Sequence, residues 1–403
     1  MEHAPSSRRP ARRAPTHARP RTRRPLAYRW GRITAVLAVV GALALAVGLA
    51  GTMTHLRGNL TTAPLRAGAD HAPREEHGAV NILLLGSDSR DLVEQSYGEG
   101  DGSRRSDAMV LAHLSAGDDR IDAVQLPRDT LMDLPTCDDT GRGTFSGGPG
   151  MLNSALNFGP ACSVAAVEEL TGVRVDHFVE LDFEGFIAII DALDGVSVCL
   201  PEALEDPYAE LDLPAGEQVV DGRDALALAR TRHAVGDGSD IARLGHQQMV
   251  MSALVQEATS SRTMSRPDRL YSFLDATTSS LTVDPDLSRI SDLAALGQRV
   301  SAVGPERVTF MTMPWEPAPG DPNRVVPSAE ATGVFENIAA DAPIAAEEDP
   351  AEEGPADETP STAVPSAAEP SSAASSSSAP AEPSASASAK ATVRTADTDL
   401  CAG

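Results

Sequence analysis

A run of apolar residues over Ala79–Gly86 constrains the fold of this 403-residue chain more than any other feature. The run stops at a glycine, which is typical of a strand that is buried on both faces and ends in a loop. Apolar periodicity further predicts strands at Ala108–Leu114, Ile121–Leu126, His177–Leu181, Val196–Leu200 and Arg307–Met313, and helices at Ser163–Leu170, Phe183–Leu193, Leu287–Val303 and Glu330–Asp341. Because strands alternate with helices, we expect an α/β fold with helices on both faces of a sheet.

A second apolar run, Ile33–Met53, carries no charge over 21 residues. As a helix it would be about 31 Å long, close to the ~30 Å hydrocarbon thickness of a bilayer. A cleavable signal peptide is the alternative, but the run exceeds the usual h-region of ~7–15 residues. Residues 1–32 hold ten arginines and one acid, which favours a cytoplasmic N-terminus. We therefore expect a single-pass protein of the cell membrane with an extracytoplasmic body.

The charge of the chain is unevenly distributed. The net charge is −25, from 33 basic and 58 acidic residues. Without the tail 1–32, residues 33–403 keep 23 basic and 57 acidic residues, a net charge of −34. Such a body repels nucleic acid, so we expect no nucleic-acid partner and a local basic pocket for any bound polyanion. The tail has no helix-turn-helix pattern, which disfavours a membrane-bound transcription regulator.

These patterns divide the chain into five segments. We expect a basic cytoplasmic tail at 1–32, an anchor at 33–53, a spacer at 54–78 and an extracytoplasmic domain at 79–342. From 343 to 403 the composition turns to Ala, Ser, Pro and Glu without aromatic residues, which predicts disorder. Within that tail, Thr392–Gly403 is less repetitive, so these last residues could dock back onto the domain.

The four cysteines fit no zinc-binding spacing. Outside the membrane they can form disulfides, and four cysteines allow three connectivities. We favour Cys137–Cys162, which would close the glycine-rich loop between them, with Cys199–Cys401 as the second pair.

Two arginines in Arg230-Thr231-Arg232 precede a helical pattern that begins at Asp240. If the first stretch is extended, Arg230 and Arg232 point to the same side. A helix would place Asp240, Arg243 and Gln247 on one face. Three guanidinium groups near one carboxylate indicate a pocket for a phosphorylated ligand. Surface ion pairs are the alternative.

Three further motifs place charged residues beside predicted strands: Gly86–Arg90, Arg104–Asp107 and Pro127–Asp129. Ligands of open α/β sheets bind beyond the carboxyl ends of strands, where the first and third motifs fall. Asp107 instead precedes its predicted strand, so we expect it to reach the site from a loop. Since Mg²⁺ binds through one or two carboxylates plus substrate phosphates, Asp88 and Asp107 are the predicted metal ligands.

Each carboxylate also has a structural alternative. Asp88 could cap a turn, which is common in Gly-Ser-Asp-Ser sequences. Asp107 could pair with Arg105, and Asp129 could orient Arg128 without contacting a ligand. No P-loop or dinucleotide-binding motif is present in the sequence.

Taken in order over residues 79–260, these motifs resemble those of the LytR–CpsA–Psr family. The resemblance includes Asn-Ile-Leu-Leu-Leu-Gly-Ser-Asp-Ser-Arg, Arg-Ser-Asp, Pro-Arg-Asp, Leu-Thr-Gly-Val, Asp-His-Phe-Val-Glu-Leu-Asp-Phe-Glu-Gly-Phe, and Arg-Thr-Arg followed by Asp-x-x-Arg-x-x-x-Gln-Gln. It implies a central mixed β-sheet flanked by helices on both faces. It also implies a membrane-anchored phosphotransferase that moves a glycopolymer, such as a teichoic acid, from a polyprenyl-diphosphate carrier onto peptidoglycan.

The resemblance also implies roles for individual residues. Mg²⁺ or Mn²⁺ would be held by Asp88 and Asp107. The implied catalytic residues are Asp88, Arg105, Arg128 and Asp240, and the implied diphosphate- and lipid-binding residues are Arg90, Arg230, Arg232, Arg243 and Gln247.

The chain departs from the family pattern at two positions. Met151 and His246 stand where many members carry a basic residue. The loss of these cations would weaken diphosphate binding. These departures slightly favour one alternative to a transferase, a polyprenyl-phosphate-binding module. A second alternative is a diphosphate hydrolase without ligase activity, in which water replaces the sugar hydroxyl.

Overall fold

The computed structural model describes residues 42, 46–48, 50–68, 78–88, 104–231, 240–344 and 393–396. The chain divides into two compact units, Met1–Thr54 and His55–Gly403. In the first unit, residues 46–48 and 50–54 are helical. None of the helices in the described ranges combines the length and the apolar character needed to cross a bilayer, and most of the predicted anchor Ile33–Met53 falls outside those ranges.

The second unit contains the α/β domain. Its strands are β1 Thr61–Thr62, β2 Val80–Ser87, β3 Ser106–Leu114, β4 Ile121–Gln125, β5 Leu131–Cys137, β6 Phe145–Met151, β7 His177–Asp182, β8 Val196–Leu200, β9 Leu204–Asp206, β10 Leu211–Leu213, β11 Gly216–Val220, β12 Leu281–Val283, β13 Val308–Thr312, β14 Trp315–Ala318, β15 Asp321–Pro327 and β16 Val393–Thr395. Its helices are α1 at 55–59, α2 Pro160–Thr171, α3 Phe183–Ala192, α4 Gly222–Arg230, α5 Asp240–Thr259, α6 Ser261–Met264, α7 Pro267–Ser280, α8 Ile290–Ala302 and α9 Ala329–Ala339.

Eight of these strands form a mixed sheet in the order β1-β12-β7-β2-β3-β4-β13-β16. Strand β3 is antiparallel to both of its neighbours, β2 and β4, whereas β2 pairs in parallel with β7 and β4 with β13. The first residues of β3 therefore lie at the same edge as the last residues of β2 and β4. The predicted central mixed sheet is confirmed, and its topology brings the strand-end motifs to one edge.

Helices cover both faces of this sheet, as predicted. Because neighbouring residues of a strand point to opposite faces, adjacent residues of β3 belong to different cores. Leu111 is buried in a cluster with Val164 of α2. Val110 is buried in a cluster against which Met251 of α5 and Leu296 of α8 pack. A third cluster joins strands β8–β11 to α4 and α5.

The predicted strands and helices lie close to those observed, with one break. The helix expected over Leu287–Val303 is a 3₁₀ turn at Pro285–Ser288 followed by α8, because Arg289 between them has an extended backbone. The sequence pattern missed the β5–β6 and β14–β15 hairpins. Strand β6 contains three glycines, and β14 and β15 contain prolines, so neither hairpin shows the apolar alternation that marks a strand.

The predicted disulfide Cys137–Cys162 is confirmed, with the two Cα atoms 5.5 Å apart. It joins the end of β5 to the first turn of α2. Cys199 is also disulfide-bonded, and its predicted partner, Cys401, lies outside the described residues.

A short strand lies within the segment 343–403 that composition predicts to be disordered. Strand β16 pairs antiparallel with β13 at the edge of the sheet. The backbone N–H of Ala396 continues this contact by donating to the carbonyl of Val308 at 2.9 Å. This is the region where we expected the last residues to dock.

Candidate active site

An open pocket of about 290 Å³ lies at the edge of the sheet where β2 and β4 end and β3 begins. Its lining residues are Asp88, Arg105, Asp107, Arg128, Asp129, Met151, Asn153 and Arg324. The structure therefore brings together four of the predicted site residues, Asp88, Arg105, Asp107 and Arg128. They arrive from three adjacent strands, which explains why no single stretch of sequence contains the site.

Asp88 and Arg105 are joined by a reciprocal pair of hydrogen bonds. The backbone N–H of Asp88 donates to the carbonyl of Arg105 at 3.1 Å. The backbone N–H of Arg105 donates to Asp88 Oδ1 at 2.8 Å. These bonds extend the β2–β3 ladder past its register shift at Gly86 and Ser87. The Asp88 carboxylate is thus fixed by the neighbouring strand and faces the pocket.

Asp107 lies inside β3, so the prediction that it reaches the site from a loop is wrong. The antiparallel direction of β3, which the sequence does not reveal, already places it at the edge. Its side chain accepts a short hydrogen bond from Arg128, not from Arg105, the partner considered from the sequence. Its backbone carbonyl accepts from Arg243 Nη2 at 3.3 Å. Asp107 therefore connects the open pocket to helix α5.

The turn after β4 presents Arg128 and Asp129. It is closed by the backbone N–H and the hydroxyl of Thr130, which donate to the carbonyl of Pro127 at 3.1 and 2.6 Å. The carbonyl of Arg128 in turn accepts from the backbone N–H of Asn153 at 3.1 Å. This bond holds the start of the 3₁₀ helix Leu152–Phe158 against the turn, which brings Met151 and Asn153 into the pocket.

Arg243 and Gln247 lie on one face of α5, as predicted, and both are buried. Gln247 Oε1 accepts from Gln125 Nε2 of β4 at 2.5 Å, and Gln247 Nε2 donates to the carbonyl of Ala229 at 3.2 Å. Gln247 thereby joins the sheet, α5 and the end of α4. Gln125 is a contributor that sequence reasoning missed, since a glutamine inside an apolar strand carries no motif.

Arg230 is the last residue of α4, so the extended conformation considered for the Arg-Thr-Arg stretch does not hold at this residue. Helix α4 begins at a strong cap, Asp221, and runs through Arg230, where a cation also interacts favourably with the helix C-terminus. The Arg230 guanidinium carbon lies 4.7 Å from the centroid of the Phe183 ring, a cation–π distance. The next residue, Thr231, is buried and donates a short hydrogen bond to Asp206.

Three predicted site residues lie wholly or partly outside the described residues. Arg90 and Arg232 are outside the described ranges. Asp240 begins α5, and only its backbone is described. Their predicted roles stay predictions.

The pocket contains oxygen donors suited to a divalent cation. The carboxylates of Asp88 and Asp107 line it together with Asn153. The Oδ1 atom of Asn153 is buried and has no hydrogen-bond partner among the described residues. Within those residues, no group of three or more His, Cys, Asp or Glu side chains is placed to hold a metal. Two carboxylates and an amide oxygen fit a hard cation that shares its coordination with substrate phosphates and water.

A buried carboxylate lies beside the β2 strand end. Burial raises the pKa of Glu180 on β7, while the charges of Arg142 and Arg104 and a hydrogen bond from Ser87 act in the opposite direction.

Arg324 and Asn153 were missed as site residues by sequence reasoning. Asn153 lies two residues after Met151, which the comparison with the family motifs had already singled out, so the sequence did point to this region. No motif points to Arg324, because it lies on a proline-containing strand far beyond residues 79–260, over which the motifs occur.

A family model described as the LytR_cpsA_psr family matches residues 54–337, well over half of the chain. The chain belongs to this family. Among solved structures, it resembles the LytR-Csp2A-Psr enzyme from Actinomyces oris, with a TM-score of 0.54 and 25% identity; the match covers 69% of this chain and 96% of that one. The resemblance expected from the motifs is thereby confirmed.

Two curated members of the family are similar in sequence. The cell wall biosynthesis protein LcpA of Corynebacterium glutamicum is 31% identical over 268 residues, 59% of this chain and 50% of that protein. The polyisoprenyl-teichoic acid--peptidoglycan teichoic acid transferase TagU of Oceanobacillus iheyensis is 31% identical over 226 residues, 54% of this chain and 63% of that protein. The matches thus span between half and two thirds of these relatives.

Proposed function

We propose that this protein transfers a glycopolymer from a polyprenyl-diphosphate carrier onto peptidoglycan, forming a phosphodiester bond. The observation that carries the proposal is the convergence of Asp88, Arg105, Asp107 and Arg128 from three adjacent strands in one open pocket. In a body with a large net negative charge, a cluster of arginines around two carboxylates is the arrangement that a diphosphate and its cation require. Family membership and the transferase name of TagU support the same class of reaction.

The reaction follows from the chemistry of the groups in the pocket. A sugar hydroxyl of the acceptor attacks the phosphorus that bears the glycan, a new P–O bond forms, and the bond to the polyprenyl phosphate breaks. Such a transfer depends on in-line positioning and charge neutralisation. Arg105 and Arg128 supply positive charge, and we assign to Asp88 the acceptance of the hydroxyl proton.

A bound Mg²⁺ or Mn²⁺ ion would neutralise charge on the two phosphates. Asp88 and Asp107 would hold it, with the buried amide oxygen of Asn153 alongside. Arg128 keeps the Asp107 carboxylate in place through their hydrogen bond. On the other side of Asp107, buried Arg243 holds its backbone, so the carboxylate is oriented from two directions.

The proposed location is the outer face of the cell membrane, with Ile33–Met53 as the single anchor and residues 1–32 in the cytoplasm. The basic tail and acidic body support this orientation. The Cys137–Cys162 disulfide supports an oxidising compartment for the domain.

The test uses the full-length chain in detergent with a polyprenyl-diphosphate-linked sugar, with and without Mg²⁺ and a peptidoglycan fragment. Release of polyprenyl phosphate and sugar attached to the fragment are measured separately. Asp88→Asn is compared with Asp133→Asn, which removes an exposed carboxylate from the neighbouring strand β5.

Wild type and Asp133→Asn are expected to release polyprenyl phosphate and to label the fragment, and Asp88→Asn to do neither. If wild type releases polyprenyl phosphate but attaches no sugar to the fragment, the protein is a hydrolase and not a transferase. If wild type binds the lipid but releases no polyprenyl phosphate, it is a polyprenyl-phosphate-binding module.

A further inference from the structure

Arg324 reaches the pocket from outside the motif core. It lies on β15, whose next residue, Val325, forms a parallel bridge with Thr130 at the end of the β4 turn. The backbone N–H of Val325 points to the carbonyl of Asp129 at 3.5 Å. The β14–β15 hairpin is therefore seated on the turn that presents Arg128 and Asp129, and it delivers one more guanidinium to the site.

Asp129 holds this guanidinium in place. Arg324 Nη1 lies 3.1 Å from Asp129 Oδ1, and Arg324 Nε lies 3.9 Å from Asp321 Oδ2. The contact between Asp129 and Arg128 is longer, 3.9 Å, because Arg128 is turned towards Asp107. Asp129 therefore orients Arg324 more than Arg128, the partner considered from the sequence.

The side chain of Arg324 remains accessible. It is 33% exposed, compared with 15% for Arg128. Two carboxylates take part of its donor capacity, but a guanidinium has five N–H groups in a planar fork. Donors are thus left for an oxyanion in the pocket that Arg324 lines.

Arg324 balances the charges of the side chains that line the pocket. Three arginines, Arg105, Arg128 and Arg324, line it together with three aspartates, Asp88, Asp107 and Asp129. Without Arg324, two arginines would face three carboxylates, so the lining would carry a net charge of −1 before any cation binds, whereas with Arg324 it is balanced. Met151, the apolar residue in this described lining, adds no charge.

We propose that Arg324 is a further phosphate-binding residue of this site and that Asp129 is its positioning residue. The inference rests on the proposed function for the chemical class of the ligand, a diphosphate. It assigns substrate binding to the β14–β15 hairpin, which sequence motifs do not mark.

Inorganic diphosphate is the probe, and isothermal titration calorimetry measures its binding to the full chain in detergent with Mg²⁺. Arg324→Gln is expected to weaken binding about tenfold, as for the loss of one charge-assisted hydrogen bond. Arg324→Lys keeps the charge and is expected to lose less. The matched control is Arg307→Gln, which removes an exposed arginine just before β13 that pairs with Glu306.

A second variant tests whether the loss of binding is an effect of charge. Met151→Arg adds a cation to the same pocket, and in the Arg324→Gln background it is expected to recover part of the lost binding. Binding by Arg324→Gln equal to wild type, while Arg105→Gln binds weakly, would overturn this inference and leave the proposed function intact. A wild-type protein that fails to bind diphosphate would overturn both.

Discussion

Replacing Cys137 and Cys162 together with alanine removes a crosslink that closes a loop over a sequence separation of 25. In the chain-entropy model, such a loop contributes about 3.5 kcal/mol by restricting the unfolded chain. That is a large part of the roughly 5–15 kcal/mol by which domains are usually stable. The melting temperature of the domain is expected to fall by roughly 7–14 °C.

Both cysteines are also buried in the core between the sheet, α2 and α9, so alanine leaves a small void as well. Val164→Ala, on the same helix and in the same cluster, serves as the matched control. It removes two methyl groups and is expected to cost roughly 2 kcal/mol while keeping the crosslink. The two variants therefore separate the loss of packing from the loss of the loop.

Urea unfolding followed by circular dichroism measures both effects. An unfolded chain without the crosslink exposes more surface, so the double variant is expected to show a steeper dependence of stability on urea, and Val164→Ala is not. If the slope does not change and the loss matches that of Val164→Ala, the loop-closure argument is refuted. The double cysteine variant also tests the site indirectly, because the loop that the disulfide closes contains Met151 and Asn153, which line the pocket.

Two further perturbations test the proposed role of Arg230 in phosphate binding and a buried ion pair. Arg230→Ala is expected to lower the rate of glycopolymer transfer by about 10²-fold, the range for the loss of one preorganised donor. The control, Arg223→Ala, changes an exposed residue in the first turn of the same helix and is expected to leave the rate unchanged. Comparable losses in both variants would argue against a specific role for Arg230. Burial favours neutral His177, but the hydrogen bond to Asp284 and its charge outweigh this and raise the pKa of His177 above 6.5. Its stabilisation is therefore complete below the unfolded pKa and is lost as pH rises through the folded value, so His177→Gln should cost more stability at about pH 5 than at about pH 9 in urea melts. A cost that is the same at both pH values would contradict the assigned shift.

The central strands could be predicted from sequence because burial on both faces leaves a local signature. β2, β3 and β4 are rich in buried apolar residues, and the predicted strands lie within a residue or two of the observed bounds. The direction of β3 left no such signature. Strand direction depends on which strand it pairs with, and that is a property of contacts between distant residues.

The extended conformation considered for Arg-Thr-Arg does not hold at Arg230 for a related reason. Two arginines separated by one residue suggest the strand period, but Arg230 belongs to a helix whose cap lies nine residues earlier, at Asp221. The preceding alanines and leucines extend the helix through Arg230. What orients its guanidinium is then the Phe183 ring, a neighbour far away in the sequence.

Apolar periodicity and short charged motifs are local properties of the chain, so they were enough to predict the α/β class, the family and the residue types of the site. The pairing of those residues depends on tertiary contacts. It turned Asp107 towards Arg128, gave Gln247 its partner Gln125, and brought Arg324 to Asp129 through a bridge between β15 and the β4 turn. These contacts depend on strand direction and on the seating of a hairpin, which are fixed only when distant segments pack.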